Sequence, residues 1–293
     1  MHAWEAIQKT VDYIEDNLSE KITTEELAAI AALSPFYFQR LFTRLVNKPV
    51  GEYVKLRRLA RSCEALKNKN KRILDVALEF GFNSHESYTK AFKTAFDITP
   101  DEYRKNPIRL NQILKPELLL NYTMIDEDVP LITDNIVIEI TRKTLDFPEK
   151  YVGITGQVAI SSQLPLGETT GVDTPGVLWD TFHKNKPNIL GLIPDGIELG
   201  ASMMDESGGE TFTYFAGGTA DDNACADEEL TIWELPAAEY VVCCFEAESF
   251  SELTTSALNK AMKYLFGTWL QAHDLVTQPF SAEKYYKTTP DAT

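Results

Sequence analysis

Between residues 27 and 96 the chain carries one pattern twice. LAAIAALSPFYFQRLFTRL at 27–45 is echoed by VALEFGFNSHESYTKAFKTAF at 76–96. Leu27, Ala28 and Leu33 match Val76, Ala77 and Phe82 at an offset of 49. After one extra residue, Asn83, the offset becomes 50, and Ser34, Phe38, Arg40 and Phe42 match Ser84, Tyr88, Lys90 and Phe92. Each copy reads as two short helices, the second apolar on one face and polar on the other. That is the signature of tandem helix-turn-helix units, and it points to DNA binding.

The local signals agree. Thr23 with Glu26 three residues later predicts a capping box and a helix start before Leu27. Ser34 followed by Pro35 predicts a second start, and Ala32-Leu33 leaves room for a tight turn between them. In the second helix Phe38, Leu41, Phe42 and Leu45 fall on a core face, while Phe36, Gln39, Arg40 and Thr43 fall on the other. The second unit repeats this logic. Ile73, Val76, Ala77 and Phe80 line its supporting helix, Gly81 permits the turn, and Asn83 or Ser84 caps the next helix. That helix buries Tyr88, Ala91, Phe92, Ala95 and Phe96 and presents Glu86, Thr89, Lys90 and Lys93. A connecting helix from Val50 carries Lys55, Arg57, Arg58, Arg61 and Lys67, with Lys69 and Lys71 just after it. Thr99-Pro100-Asp101-Glu102 caps a last helix.

Charge divides the chain. Residues 1–107 hold 17 Lys and Arg against 15 Asp and Glu, while residues 108–293 hold 11 against 29, so the net charge of −16 belongs to the second part. An acidic partner domain repels DNA and attracts cations, which is a division of labour. No apolar run reaches the ~20 residues a membrane span needs and no signal peptide leads the chain, so a soluble, cytoplasmic protein is expected. Cys63, Cys225, Cys243 and Cys244 lack metal or disulfide spacing, and Cys243 and Cys244 would point to opposite faces of a strand. P-loops, HExxH and a Ser/His/Asp order are absent, and the four histidines lack metal-like company. No metal or cofactor is expected, and no enzyme.

The first part resembles the AraC/XylS family DNA-binding domain over residues 4–107, through its LA…LS…R.F unit, its VA…GF.S..Y….F unit and the closing Thr99-Pro100…Tyr103-Arg104; Asp97 stands where that family usually has glycine. The resemblance implies two recognition helices in successive major grooves, which recur about 34 Å apart, on double-stranded DNA with an asymmetric site. The contact set it implies is Pro35, Phe36, Gln39, Arg40, Thr43 and Arg44 from the first unit and Ser84, His85, Glu86, Thr89, Lys90 and Lys93 from the second. Arg40 can pair bidentately with guanine, Gln39 can read adenine, Phe36 can pack on a thymine methyl and Glu86 can accept from cytosine. Glu86 can equally close a capping box with Asn83, and Phe36 can be an edge-of-core residue. Arg44, Arg58, Lys93 and Arg104 read as phosphate neutralisers or solvated charges, and Lys90 takes the place of a family arginine.

Residues 108–133 read as a linker that packs on a surface, and the domains as 1–107 and 134–293. From Asn135 the pattern turns to strands at 135–145, 151–159, 189–194, 212–220 and 230–247, with helices at 177–184 and 249–272, the latter opened by a Ser249 to Glu252 capping box. The expected second fold is α+β with a mostly antiparallel sheet. This half is similar to the GyrI-like effector-binding domain through Ile138-Glu139-Ile140, Tyr151-Val152-Gly153, 235–240, 265–270 and 280–285. The similarity implies a small-molecule effector, lipophilic and cationic, held by Glu283 among Tyr285, Trp179, Phe182, Tyr214 and Trp269. Together the halves read as a DNA-binding regulator, more an activator than a repressor, with RNA polymerase as a candidate partner. The alternatives are a hydrolase using Glu283 as general base, or a domain that sequesters a toxic compound.

Overall fold

The computed structural model describes residues 2–133, 136–204, 209–227, 229–247 and 252–286. The chain divides into two compact units, one of residues 1–123 with 167–172, the other of 124–166 with 173–293.

The first unit holds helices α1 (Ala3–Asp16), α2 (Thr24–Ile30), α3 (Pro35–Val46), α4 (Val50–Lys67), α5 (Ile73–Glu79), α6 (His85–Phe96) and α7 (Pro100–Lys105). The capping side chains lie where the sequence puts them: Thr23, Ser34, Ser84 and Thr99 accept from the backbone N–H of Glu26, Tyr37, Ser87 and Glu102. Ser84, not Asn83, caps α6, and its reciprocal partner is Ser87, so Glu86 takes no part in the box. Glu26 does not reach back to Thr23; its carboxylate accepts from the Tyr13 hydroxyl at 2.5 Å.

The repeat extends to the backbone. Ala32 and Gly81 take left-handed φ of 54° and 72° at the two turns, and Asn47 and Asp97 take 59° and 61° at the ends of α3 and α6. Asn and Asp tolerate this region because their short polar side chains bond locally, so Asp97 serves in place of glycine.

Each repeat has its own core. Leu27, Ala28, Phe38 and Phe42 pack with Ile7, Val11 and Ile14 of α1 and with Tyr53. Val76, Ala77, Tyr88, Phe92 and Phe96 pack with Leu59, Cys63, Leu66 and Tyr103. The connecting helix α4 therefore feeds both cores, Tyr53 into the first and Leu59, Cys63 and Leu66 into the second. Full burial of one such large apolar side chain contributes about 1.5–3 kcal/mol, so α4 is fixed by several independent anchors. A bidentate pair secures it further: Arg57 donates to Glu15 of α1 at 2.7 and 2.6 Å, Tyr53 adds a hydroxyl bond to Glu15 at 2.8 Å, and Arg57 also donates to the Ile113 carbonyl.

Residues 108–123 pack into this first unit. Ile113 and Leu118 are buried in its first core, and the Leu118 N–H donates to Gln8 at 2.8 Å. Strand β1 (Leu110–Asn111) pairs antiparallel with β5 (Gly171–Val172).

In the second unit β10 (Phe280–Tyr285), β6 (Glu198–Met204), β7 (Thr211–Thr219), β4 (Glu149–Ala159) and β8 (Thr231–Leu235) form an antiparallel sheet in that spatial order. A second sheet runs β2 (Leu131–Thr133), β3 (Ile136–Leu145), β9 (Ala238–Ala247), also antiparallel. A short turn α8 (Ile160–Gln163) follows β4. Helix α9 (Thr174–Asn185) packs on β4 and β7, and α10, residues 253–272, alternates α turns with π segments at Leu253–Ala257 and Leu265–Trp269. The α+β class with antiparallel pairing is present. Residues 189–194 are not a strand, because Gly191 at φ 75° breaks the extended path and sits against the Ala224 backbone; only Leu192 makes a bridge, to Ala220. The Ser249 cap lies outside the described residues. Burial pushes the Cys243 thiol up to about 12, so it packs as a small neutral side chain rather than a thiolate. Among the described residues no helix is long and apolar enough to cross a membrane.

Candidate functional site

The reading faces are built by exclusion. Phe38 and Phe42 fill the core side of α3, so the intervening positions must face out: Pro35, Phe36, Gln39, Arg40, Thr43 and Arg44 are all exposed. Phe36 is 71% exposed, which removes the edge-of-core reading, and the Arg40 guanidinium stands 5.7 Å from its ring centroid. That contact holds a flexible arginine over an aromatic face and limits its rotamers before any partner arrives. On α6, Tyr88 and Phe92 fill the core, and His85, Glu86, Lys90 and Lys93 are exposed. Two expected α6 residues differ. The Ser84 hydroxyl accepts the capping bond from Ser87, and the Thr89 hydroxyl is buried without a hydrogen-bond partner among the described residues although the residue is half-exposed. Tyr37, 52% exposed beside Phe36, was missed, because its position falls between the two periodic faces.

The cations separate into two groups. On and around α4, Lys55 pairs with Glu52, Lys67 with Glu64, Lys71 with Glu79 and Arg57 with buried Glu15. Arg58 donates to the carbonyls of Leu18 at 2.8 Å and Glu20 at 2.6 Å and, at 3.4 Å, to Gly81, while Arg104 donates to Leu66 at 3.1 Å. Arg58 and Arg104 are thus structural clamps rather than phosphate neutralisers. Arg40, Arg44, Lys90 and Lys93 form no ion pair among the described residues. These four leave positive charge on the outward faces of α3 and α6, where a polyanion would gain from it, and Lys21, Lys48, Arg61 and Lys69 likewise enter no ion pair among the described residues.

The second cluster lies on the sheet edge under α9. Glu283 and Tyr285 share one face of β10 by strand alternation, and Phe280 and Lys284 turn to the other, toward Tyr240 and Glu149. The Tyr285 hydroxyl donates to Glu283 Oε2 at 2.5 Å. Tyr214, from β7, brings its hydroxyl beside the same carboxylate over Gly200, and Trp179 Nε1 of α9 donates to the Tyr214 hydroxyl at 2.9 Å. The Trp179 ring packs edge-on against Tyr285 at 5.5 Å. This convergence needs Gly200, which pairs with Glu283 across the strands: a Cβ there would meet the Tyr214 oxygen at 2.5 Å and Glu283 at 3.3 Å.

The electrostatics are unusual for a carboxylate. Burial pushes the Glu283 carboxyl above its ordinary value; the hydroxyls of Tyr285 and Tyr214 oppose this, and the charge of Asp173 adds to it. No basic side chain among the described residues pairs with Glu283. Burial and the same carboxylate drive Tyr214 and Tyr285 well upward, so both remain neutral donors. The site is an aromatic cluster whose one carboxylate has no basic partner among the described residues.

Four of the six expected ligand residues, Glu283, Tyr285, Tyr214 and Trp179, meet in this network. Phe182 is fully buried behind it, edge-on to Trp179 at 5.8 Å. Trp269 lies apart: it is fully buried on α10, donates to the Ile125 carbonyl at 3.0 Å and stacks on His273. Gly200 and Asp173 went unnoticed; the Asp-Thr-Pro start of α9, with Asp173 accepting from the Gly176 N–H at 3.0 Å, was a legible cap signal.

Residues 27–106 match a helix-turn-helix domain family, and residues 151–293 match the GyrI-like small molecule binding domain. The chain is similar to the uncharacterized HTH-type transcriptional regulator YbfP of Bacillus subtilis, 38% identical over 104 residues, covering 36% of this chain and 35% of that one. It is similar to the HTH-type transcriptional activator AarP of Providencia stuartii, 31% identical over 108 residues, covering 37% of this chain and 80% of AarP. It is also similar to the transcriptional regulator Rob of Salmonella typhimurium, 32% identical over 136 residues, covering 43% of this chain and 46% of Rob. The chain thus spans about a third of YbfP and about half of Rob, but most of AarP. With two helix-turn-helix units in one compact unit and an antiparallel α+β fold in the other, the chain belongs to the AraC-type helix-turn-helix transcriptional regulators and carries a GyrI-like small molecule binding domain.

Proposed function

We propose that this regulator reads an asymmetric DNA site with α3 and α6 and responds to a lipophilic cation held at Glu283. The observation that carries the ligand class is the half-buried Glu283 carboxyl, which no basic side chain among the described residues pairs with and which Trp179, Tyr214 and Tyr285 surround. A bound cation supplies the counter-charge that the carboxylate lacks while its apolar body packs on the aromatic faces. On the DNA side, Arg40 and Gln39 read base edges, Lys90 contributes in the second groove, and Arg44 and Lys93 neutralise phosphates. Activation, with contact to RNA polymerase in the cytoplasm, is the direction we favour, supported by the activator name of AarP.

Calorimetric titration with tetraphenylphosphonium and with neutral triphenylphosphine oxide tests the ligand class. Preference for the cation, lost in Glu283→Gln, is the expected result; equal affinity for both would remove the assignment. Product analysis of the same mixtures separates a sensor, which leaves its ligand intact, from a hydrolase. Selection of bound sequences from random duplexes, with and without the cation, tests the DNA reading. Recovery of no common sequence would contradict it.

A further inference from the structure

Residues 167–172 are numbered among those of the small-molecule domain yet complete the DNA-binding unit. Val172 and Gly171 of β5 pair with Leu110 and Asn111 of β1, Asn111 Nδ2 donates to the Val172 carbonyl at 3.3 Å, and the Leu114 N–H donates to the Gly167 carbonyl at 2.8 Å. Gly167 at φ 70° and Gly171 at φ 119° give this strap a course that other residues adopt only under strain.

The strap meets both reading helices. Asn47, the left-handed C-cap of α3, donates through Nδ2 to the Glu168 carboxylate at 3.4 and 3.5 Å, and β5 packs beside α6. At its other end Val172 is bonded directly to Asp173, the cap of α9. Pro175 in the first turn fixes the backbone there, and the helix runs without a break to Trp179, which donates to Tyr214 beside Glu283. A strand residue, a cap and about one and a half helical turns, at 1.5 Å rise per residue, separate the strap from the ligand network.

Resting on the sensor reading above, we propose that the strap 167–172 is a positioning element for α3 and α6, and that a cation bound at Glu283 sets its seating through α9. A cation at Glu283 competes for the carboxylate that Tyr214 and Tyr285 now hold, which changes the hydrogen bond on which Trp179 hangs. The strap is half-buried at most, with Val172 exposed and its two-residue strand on the edge of the unit, so it belongs to the segments that open locally before the helical core does. A ligand moves such an equilibrium only by interacting differently with its two states, and the shared Tyr214 hydroxyl supplies that difference.

Two experiments on the full chain decide it. Amide hydrogen exchange of the wild type and of Trp179→Phe, which keeps a ring but removes the Nε1 donor, requires no ligand. Exchange at Leu114 and 167–172 should rise about threefold or more in the variant, with α1 unchanged. Changes confined to α9, β6, β7 and β10 would overturn the proposal. In the second experiment tetraphenylphosphonium is the probe, and the DNA is a duplex recovered by selection. Glu168→Ala should bind the probe as the wild type does, yet lose at least half, on a logarithmic scale, of a probe-induced affinity change expected at about 5-fold or more. A full response in Glu168→Ala counts against the strap. Failure of the sensor reading looks different: the probe would bind the wild type and Glu283→Gln alike, or neither, and the exchange result would still decide whether α9 and the strap are coupled.

Discussion

Ala32 and Gly81 stand at the same place in the two halves of a duplication, 49 residues apart, and both hold the left-handed backbone, with φ of 54° and 72°. Alanine there carries a strain that glycine avoids, of about 1–2 kcal/mol. Ala32→Gly should therefore be neutral or stabilise by up to about 1 kcal/mol, since the looser unfolded chain takes back part of the gain. Gly81→Ala should cost about 1–2 kcal/mol or more, because it adds the same strain. Its new Cβ would also meet the Arg58 guanidinium at 2.7 Å, where that group is tied to three carbonyls. Urea unfolding of both variants checks the pair; equal effects would remove the account.

Arg40 and Arg58 separate reading from folding. Arg40→Ala should cost about 1–3 kcal/mol on the selected duplex and relax one base position. Arg58→Ala should leave sequence preference intact and instead lower stability by about 1–3 kcal/mol, through lost charged hydrogen bonds to backbone carbonyls. Binding isotherms beside thermal melts distinguish them, and a stable Arg58→Ala with weakened DNA binding would return that residue to the interface.

Glu15→Gln should destabilise the first unit by about 3–5 kcal/mol, because Arg57 keeps its buried charge with no carboxylate opposite. The wild type should show the matching acid sensitivity. Burial pushes Glu15 up, but Arg57 and Tyr53 outweigh it and the net shift is downward from 4.5. A depressed folded value means the contribution is present above 4.5 and lost as pH falls through the folded value. Denaturation across pH 3–6 should show a steeper acid loss in the wild type than in Glu15→Gln.

Glu283 has the opposite sign. Its folded value is raised, so the folded chain binds that proton more tightly than the unfolded one, and the contribution present below 4.5 is lost as pH rises through the folded value. At neutral pH, Glu283→Gln should therefore stabilise the ligand-free protein, on the order of 1 kcal/mol, while abolishing cation preference. A melting temperature that falls in this variant would show that the carboxylate is structurally satisfied already.

Gly200→Ala should displace the Tyr214 hydroxyl and lower ligand affinity, with strain on the order of 1–3 kcal/mol. The tryptophan emission that Trp179→Phe removes reports the first effect and calorimetric titration the second, and no change in either would show that Gly200 is not needed for the convergence of Tyr214 on Glu283.

The first unit was legible because its repeat is written in caps, turns and periodic apolar positions that act locally. What escaped there were residues whose partners lie far along the chain: Arg57 and Arg58 look like surface cations until Glu15, Leu18 and Gly81 are brought to them. In the second unit β6 was missed, since its Glu-Leu-Gly-Ala-Ser-Met-Met sequence is too small and mixed to alternate visibly, and its smallness matters because Gly200 must admit Tyr214. Trp269 was misplaced because an aromatic on an amphipathic helix names its face but not the sheet it will meet. Thr89 was assigned by register alone, and register does not specify which way a β-branched hydroxyl turns.

The discontinuity of the first unit reaches into synthesis and rearrangement. A ribosome that has released residue 123 has not finished the first unit: Asn47 waits for Glu168, and β1 for its partner strand, until residue 172 has been added. Gene fusion or excision at the apparent boundary near residue 107 would leave that half without its β5 stitch, so the two halves of this polypeptide are less separable in inheritance than the order of its sequence suggests.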